Sequence, residues 1–455
     1  MKNCRKNSIA FGGGAYGDEG KGRLVDKFVC DYAKKGPVIV YRDNGGANAR
    51  HTVEFETGER VALHQLPSGV FIKGATVVLG KGMVLHPGDL TEEIHMVQKA
   101  GRGKLFSKIL IDEMAVLSLD THRAFESVLK EWQEGSRGST GRGISPAYAD
   151  ILLRHPLRMR DLFAFDQEKF RKHFRLYKAF VKGLGKELEE VGVAALGKDV
   201  KQCVGSEDAF IKCLKKQRKE LVDHIQNVYA FVDKTWHNDK YGYVFEKGQG
   251  VGLSPDWGVY PDVTASDTTF EGIFASTEGI VEPETIAYRA SVIKATYMSS
   301  VGARVLPTKM DEELASKIRE DAKEYGATTK RPRGIAYIDI PTLKYFAKVG
   351  RANCLVLTHM DIVYPKTPIK VCVRYEINGK NAPYRPDQMY LNSVKPKYIE
   401  LKTWDREDVS KAKRGGDLPK NAKSYLDFIS EQVGVLILAI TTGPKREQGI
   451  MLKSL

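Results

Sequence analysis

The chain has 455 residues, 42% hydrophobic and 28% charged, a globular composition whose length allows roughly three domains, although α/β enzymes often run this long as one body. No run of about 18 apolar residues occurs, so no membrane span is expected, and Met1-Lys2-Asn3-Cys4-Arg5-Lys6 leads into a short strand, not the apolar region of a signal peptide. The formal charge of +14 admits a nucleic-acid partner, but a protein that handles several phosphorylated or carboxylated small molecules also gains from a positive field.

In chain order, Ser8-Ile9-Ala10-Phe11 is a short apolar strand, and the apolar spacing from Leu24 to Tyr32 predicts a helix. Between them lies Gly12-Gly13-Gly14-Ala15-Tyr16-Gly17-Asp18-Glu19-Gly20-Lys21-Gly22-Arg23. A glycine loop that opens a helix brings backbone N–H groups and the positive end of the helix dipole to an anion, and Lys21 can reach outer phosphates. It is not a Walker A loop, since Gly22 stands where that motif needs Ser or Thr. Asp18, a carboxylate among phosphate-directed amides, is suited to holding a metal or taking a proton.

Pro37-Val38-Ile39-Val40-Tyr41 is a fully apolar strand that leads into a second polar turn, Arg42 to Thr52. Thr76 to Gly80, Lys108 to Asp112 and Gly242 to Glu246 repeat the pattern, which predicts a mainly parallel sheet buried on both faces, with ligands at the carboxyl ends of its strands. Residues 157–234 read as a polar helical insertion within a single 1–455 domain. Much of the positive charge lies there, for example Lys215-Lys216-Gln217-Arg218-Lys219, but Phe170, Phe174 and Tyr177 recur at helical spacing, as a packed face would beneath a solvated basic one. Cys354 to Asp361 is a further strand with an acid beyond it. Ile369 to Tyr375 opens a hairpin turning near Asn378-Gly379, and Asn381 to Pro419 reads as loop-rich. Val433 to Ile440 is the last strand, followed by the turn Thr441 to Arg446. Cys4, Cys30, Cys203, Cys213, Cys354 and Cys372 show no CxxC spacing, which fits reduced thiols in the cytoplasm better than disulfides or a zinc site.

Five turns need one explanation: Gly17 to Lys21, Gly45 to Thr52, Gly138 to Tyr148, Glu246 to Gly250 with Tyr260 to Thr264, and Ala327 to Arg333. Their order and separation resemble the adenylosuccinate synthetase family across nearly the whole chain. The family's first loop reads GDEGKGK and its second GGxNAGHT, against Gly17-Asp18-Glu19-Gly20-Lys21-Gly22-Arg23 and Gly45-Gly46-Ala47-Asn48-Ala49-Arg50-His51-Thr52 here. The resemblance implies an α/β fold, similar to that of the P-loop NTPases, with one large mainly parallel sheet, helical insertions and a C-terminal hairpin region.

It also implies the GTP-driven ligation of IMP to L-aspartate through a 6-phosphoryl-IMP intermediate, giving N6-succinyl-AMP, with Mg²⁺ and a homodimer. Asp18 would take the purine N1 proton and ligand Mg²⁺, and His51 would be the general acid for the departing diphosphate; Lys21 and Gln249 complete the catalytic set. GTP would contact Gly17 to Arg23, then Arg50, His51, Thr52, Arg333, His359, Met360, Asp361, Thr441, Thr442 and Gly443. IMP would meet Asp18 to Lys21, then Asn48, Ala49, Arg50, His51, Thr140, Gln249, Thr264 and Arg331, with Arg154 donated across the dimer. The aspartate loop would be Ala327, Thr328, Thr329, Lys330, Arg331, Pro332 and Arg333, whose guanidinium forks pair with carboxylates.

The chain also departs from the family pattern. Arg50 stands where a glycine carbonyl ligates Mg²⁺, and a left-handed backbone there would be costly for arginine. Lys330 replaces the loop glycine, Gly252-Leu253-Ser254 replaces Leu-Leu-Asp, and His359 replaces the lysine of the Thr-Lys-x-Asp guanine-reading strand end, whose Asp361 keeps GTP ahead of ATP. These departures leave two alternatives, a dGMP-directed ligase making the precursor of 2-aminoadenine nucleotides and a non-catalytic guanine-nucleotide module docked on nucleic acid. Asp18 argues for the ordinary reaction, and a nucleic-acid partner is not expected.

Overall fold

The computed structural model describes residues 4–54, 60–132, 139–198, 200–300, 304–326, 332–443 and 445–453. Of the expected aspartate loop, Ala327 to Arg331 lie outside these, as does the side chain of Thr52. Strands without polar alternation must be covered on both faces, and here they assemble into one ten-stranded sheet. In chain order its strands are β1 (Arg5–Gly13), β2 (Val38–Arg42), β3 (Thr76–Leu79), β4 (Lys108–Asp112), β5 (Ile225–Gln226), β6 (Gly242–Glu246), β7 (Ile286–Lys294), β8 (Cys354–Thr358), β9 (Leu436–Thr441) and β10 (Gly449–Met451). In space they run β5-β4-β3-β2-β6-β1-β7-β8-β9-β10, parallel throughout except for the closing β9–β10 pair.

Register sets the carboxyl ends level: Phe11 of β1 pairs with Glu246 of β6, and Lys294 of β7 with Thr358 of β8. β1 lies between later strands on both sides, so the chain diverges from it in two directions, the arrangement that opens a crevice at strand ends. The helix α1 (Lys21–Ala33) buries Leu24, Val25, Phe28 and Val29, and Phe28 meets Phe11 edge to face at 5.0 Å between centroids.

Within residues 157–234, the helix Gln167–Gly183 buries Phe170, Phe174, Tyr177 and Val181, while Glu207–Leu221 buries Phe210, Ile211 and Leu214 and leaves Lys212, Lys215, Lys216 and Lys219 exposed. The aromatic spacing therefore serves packing. The predicted hairpin turns at Asn378 (φ 51°) and Gly379 (φ 76°), both left-handed, as a two-residue turn between twisted strands requires.

Three segments differ from the sequence reading. The last strand begins at Leu436, because the helix Lys420–Val433 runs through Val433 and stops at left-handed Gly434. Asn381 to Pro419 is not simply loop, since it holds the helices Gln388–Ser393 and Arg406–Lys411 and the strand Lys395–Leu401, which pairs with the hairpin. The central strand β7 escaped notice because Tyr288, Arg289 and Ser291 interrupt its apolar run.

At the carboxyl end of β2, Asp43 forms an ion pair with Lys247, which follows β6, and both side chains are 0% exposed. Truncating one partner of such a pair strands a buried charge. Lys247→Met should therefore lower unfolding free energy by about 3–5 kcal/mol in urea titrations, and Lys247→Met with Asp43→Leu should recover most of it.

Candidate active site

The loop from β1 to α1 turns through left-handed Gly17 (φ 91°), Asp18 (φ 60°) and Gly20 (φ 86°). Glu19 folds back into it: Oε1 accepts from the amides of Gly17 (2.7 Å) and Ala15 (3.3 Å), and Oε2 accepts from Lys21 Nζ (2.8 Å). Glu19 is thus an internal staple, 2% exposed, and what this residue offers a ligand is its backbone. The helix cap Gly20 supplies no side-chain acceptor, so the first-turn amides of α1 remain for an anion. Asp18 keeps its carboxylate 39% exposed, in an ion pair with Arg333 Nη2.

His51 begins a short ribbon, His51–Glu54 against Arg60–Leu63, that lies against the start of α1. A Cβ at Gly22 would meet His51 Cβ at 3.0 Å and Ser68 Oγ at 2.9 Å, which is why this loop has no room for the Ser or Thr of a Walker A motif. His51 Nδ1 pairs with Glu246 Oε1, and fully buried Glu246 also accepts from Ser68 N (2.7 Å) and Ser68 Oγ (2.8 Å). Burial pushes the Glu246 carboxyl up, but His51, Arg42 and the Ser68 amide outweigh it and hold it below the usual range. Burial lowers His51, and Arg42 and Lys21 add to that against the pull of Glu246. The resting dyad is a neutral imidazole oriented by a carboxylate, a pairing that can accept a proton once anionic phosphates arrive.

Gln249 follows β6 at φ 56°, and neither its Oε1 nor its Nε2, both buried, has a partner among the described residues. The amide lies beside Gly45, whose added Cβ would sit 3.1 Å from Gln249 Oε1 and 3.7 Å from Asn48 Oδ1. A buried amide with neither end satisfied costs about 1–3 kcal/mol per group, a penalty that a polar ligand removes. Thr264, half-buried, donates its amide to Leu253 O (2.8 Å), in a segment that reaches the first loop where Gly252 abuts the Tyr16 ring.

Thr140 is exposed, four residues before Ile144, whose side chain packs against Gly46. Arg154 is exposed at φ 65° after the helix Ile144–Leu152, and its neighbours Leu152 and Leu153 are 84% and 59% exposed. Arg50, also exposed, is absent from the left-handed residues, so the feared backbone cost is not incurred; the second loop turns at Gly45 (φ 74°) instead.

β8 delivers its end to the same cleft, where Thr358 Oγ1 donates to Glu19 O (2.9 Å) and its methyl lies under Gly20. His359 (φ 60°) bonds Tyr297 OH through Nδ1 (2.9 Å), and burial, with Lys294 nearby, lowers its pKa to about 4. Met360 is 0% exposed in the core below, its amide on Thr441 O (3.0 Å) and its carbonyl accepting from Trp404 Nε1 (3.0 Å), so its side chain does not line the cleft. Burial raises Asp361, and Arg406 stands 3.9 Å away. Thr441, Thr442 and Gly443 are buried beside this strand end, where a Cβ at Gly443 would collide with Gln448.

Sequence reasoning missed Glu246 as the partner of His51, and it missed Glu324, Lys294 and Tyr297, which link Arg333 to His359. A glutamate or lysine closing an otherwise apolar buried strand was the available signal, because such a charge demands a partner. His122, Asp150 and His173 place ligand atoms within 4.8 Å of one another. They form instead a hydrogen-bonded knot between helices: Leu119 N to His122 Nδ1 (2.9 Å), His122 Nε2 to Asp150 (2.9 Å), Tyr177 OH to Asp150 (2.8 Å) and His173 to Thr121 (2.8 Å). Metal at His122 Nε2 would move that proton to Nδ1, against the Leu119 N–H.

A family model described as adenylosuccinate synthetase matches residues 11–450. The adenylosuccinate synthetases of Acetivibrio thermocellus and Chlorobaculum parvum are each 34% identical over 446 residues, covering 97% and 96% of this chain and 98% and 96% of theirs. A fully ligated adenylosuccinate synthetase from Plasmodium falciparum superposes with a TM-score of 0.84 at 28% identity, over 98% of this chain and 100% of that one. The succinoaminodeoxyadenylate synthetase of cyanophage S-2L, bound to dGMP and dATP, shares the fold at a TM-score of 0.57 and 17% identity, over 100% of this chain and 96% of that one.

Because His359 is held neutral with a pKa near 4 against 6.5 for the ordinary imidazole, the unfolded chain takes up its proton first on acidification. Stability from this residue is full above about pH 6.5 and declines as pH falls toward about 4. Melting temperature should drop less steeply across that window in His359→Gln than in the parent protein; parallel slopes would refute the assignment.

Proposed function

The chain belongs to the adenylosuccinate synthetase family, and from that premise we propose how its cleft performs the GTP-dependent joining of IMP and L-aspartate to give N6-succinyl-AMP, a step of purine nucleotide synthesis. The assignment is supported above all by the convergence on one cleft of an accessible Asp18, the His51–Glu246 dyad and the unsatisfied amide of Gln249. A lactam oxygen is a weak nucleophile. Asp18 takes the N1 proton, the 6-oxygen attacks the γ-phosphorus, and the bond from that phosphorus to the bridging oxygen breaks to release GDP.

Lys21 and the first-turn amides of α1 hold the phosphates. His51, recharged in their field and steadied by Glu246, donates to the departing diphosphate. Phosphate is then a competent leaving group: the aspartate amine bonds C6, the C6–O bond breaks, and the amine loses a proton. Gln249, Asn48, Thr140 and Thr264 orient IMP, while Arg333 and the 327–331 loop take aspartate. Asp361 reads guanine, with His359, Thr441 and Thr442 beside it.

The Asp18 carboxylate, with the main-chain carbonyl of Arg50, offers the few hard oxygen donors that Mg²⁺ requires when phosphates and water complete its shell. Bound there, the ion neutralises charge on the transferring group. Arg154, with no ion pair in its own chain among the described residues and flanked by exposed Leu152 and Leu153, is assigned to the IMP phosphate of a second copy. The site is then complete only in a homodimer. No described helix is long and apolar enough to cross a membrane, and six free thiols suit a reducing compartment, so the reaction is assigned to the cytoplasm.

Purified protein with Mg²⁺, GTP and aspartate should give the succinyl-purine absorbance change with IMP and none with dGMP, and ATP should not replace GTP; product from dGMP alone would overturn the acceptor assignment. Asp18→Asn should lower kcat by about 10²–10⁴-fold while GTP affinity stays within about threefold. Mixing Asp18→Asn with Arg154→Leu subunits should restore part of the activity, and failure to complement would remove the shared site.

A further inference from the structure

Glu324 is 1% exposed and stands at the junction of two arms. Its Oε2 accepts from Arg333 Nη1 (2.7 Å), and Arg333 reaches Asp18 with its other terminal nitrogen. The backbone repeats the contact: Arg333 N donates to Glu324 O (3.1 Å), and Tyr325 pairs antiparallel with Pro332. Glu324 and Arg333 therefore close the neck of the aspartate-loop segment. On the other side, Glu324 Oε1 accepts from Lys294 Nζ and from Tyr297 OH (2.7 Å).

Because the Tyr297 hydroxyl gives its proton to Glu324, its oxygen accepts from His359 Nδ1–H, which leaves His359 Nε2 unprotonated. The charges of Asp18, Arg333, Glu324 and Lys294 sum to zero in a largely buried chain. Glu324, with cations on both sides, is the member whose loss would leave Lys294 uncompensated and Arg333 held by Asp18 alone.

We propose that Glu324 is a positioning residue for two substrates at once: through Arg333 it aims the guanidinium that serves donor phosphates and aspartate, and through Tyr297 it fixes the tautomer and aim of His359 at the donor base. The inference rests on the placement of GTP between α1 and the Thr358–Asp361 strand end given above. IMP meets the first arm only at its far end, where Arg333 pairs with Asp18, and is held otherwise by Asn48 and Gln249, so the substrates should respond differently.

Steady-state kinetics on the full-length protein, varying each substrate in turn, tests this. Glu324→Gln keeps the shape but unbalances Lys294, so Glu324→Gln with Lys294→Met is measured beside it, with buried charge again paired. In both, KM for GTP and for aspartate should rise about tenfold or more while KM for IMP stays within about twofold, the loss expected of one hydrogen bond to a charged group. Tyr297→Phe cuts only the second arm and should raise KM for GTP severalfold with KM for aspartate unchanged. A double variant with parental KM values, or a Tyr297→Phe protein with unchanged KM for GTP, overturns the inference. A parent protein that makes no succinyl-purine from IMP would instead defeat the assignment of the reaction, and this inference with it.

Discussion

The central strands finish in ionisable residues that the sheet buries, and a charge in that position cannot stay unpaired. β2 runs into Arg42 and Asp43, β6 into Glu246 and Lys247, and β7 into Lys294, all less than a tenth exposed. Asp43 and Lys247 meet each other, Glu246 is met by His51 and Lys294 by Glu324, while Arg42 donates to His64 O (2.7 Å). Ion pairing and hydrogen bonding of the buried strand ends therefore dictate where the loops lie. The second turn must bring His51 to β6, and the stretch that carries Glu324 must come back to β7. The cleft follows from pairing rules that hold whether or not a substrate is bound.

The sheet was legible because its strands are apolar without alternation, and the first helix because its apolar spacing starts cleanly after a glycine loop. β7 was not, since a third of its length is only partly buried and carries Tyr288 and Arg289. The motif loops could be placed by resemblance, yet sequence reading named Glu19 and Met360 as nucleotide contacts beside Asp18. Only the fold separates a glutamate that ties its own loop together, or a methionine packed in the core, from a carboxylate that faces solvent. Glu324 and Tyr297 were invisible for a further reason: their role is to hold Arg333 and His359, and a partner many residues away leaves no local pattern.

The departures from the family pattern become intelligible in the same physical terms. Arg50 was expected to strain the backbone, but Gly45 supplies the left-handed turn of that loop. His359 cannot offer the aliphatic stem of lysine, and the fold instead gives it a hydroxyl to lean on and a burial that, with a neighbouring lysine, keeps it uncharged.

The two residues Ile225–Gln226 are supplied by the helical insertion, and they pair with Ile111 and Asp112 along the outer margin of β4. An uncovered margin of parallel sheet presents a row of unsatisfied amides and carbonyls to any passing chain. This stretch thus acts as a selvedge: without its short stitch to the body, monomers would begin to weave into one another.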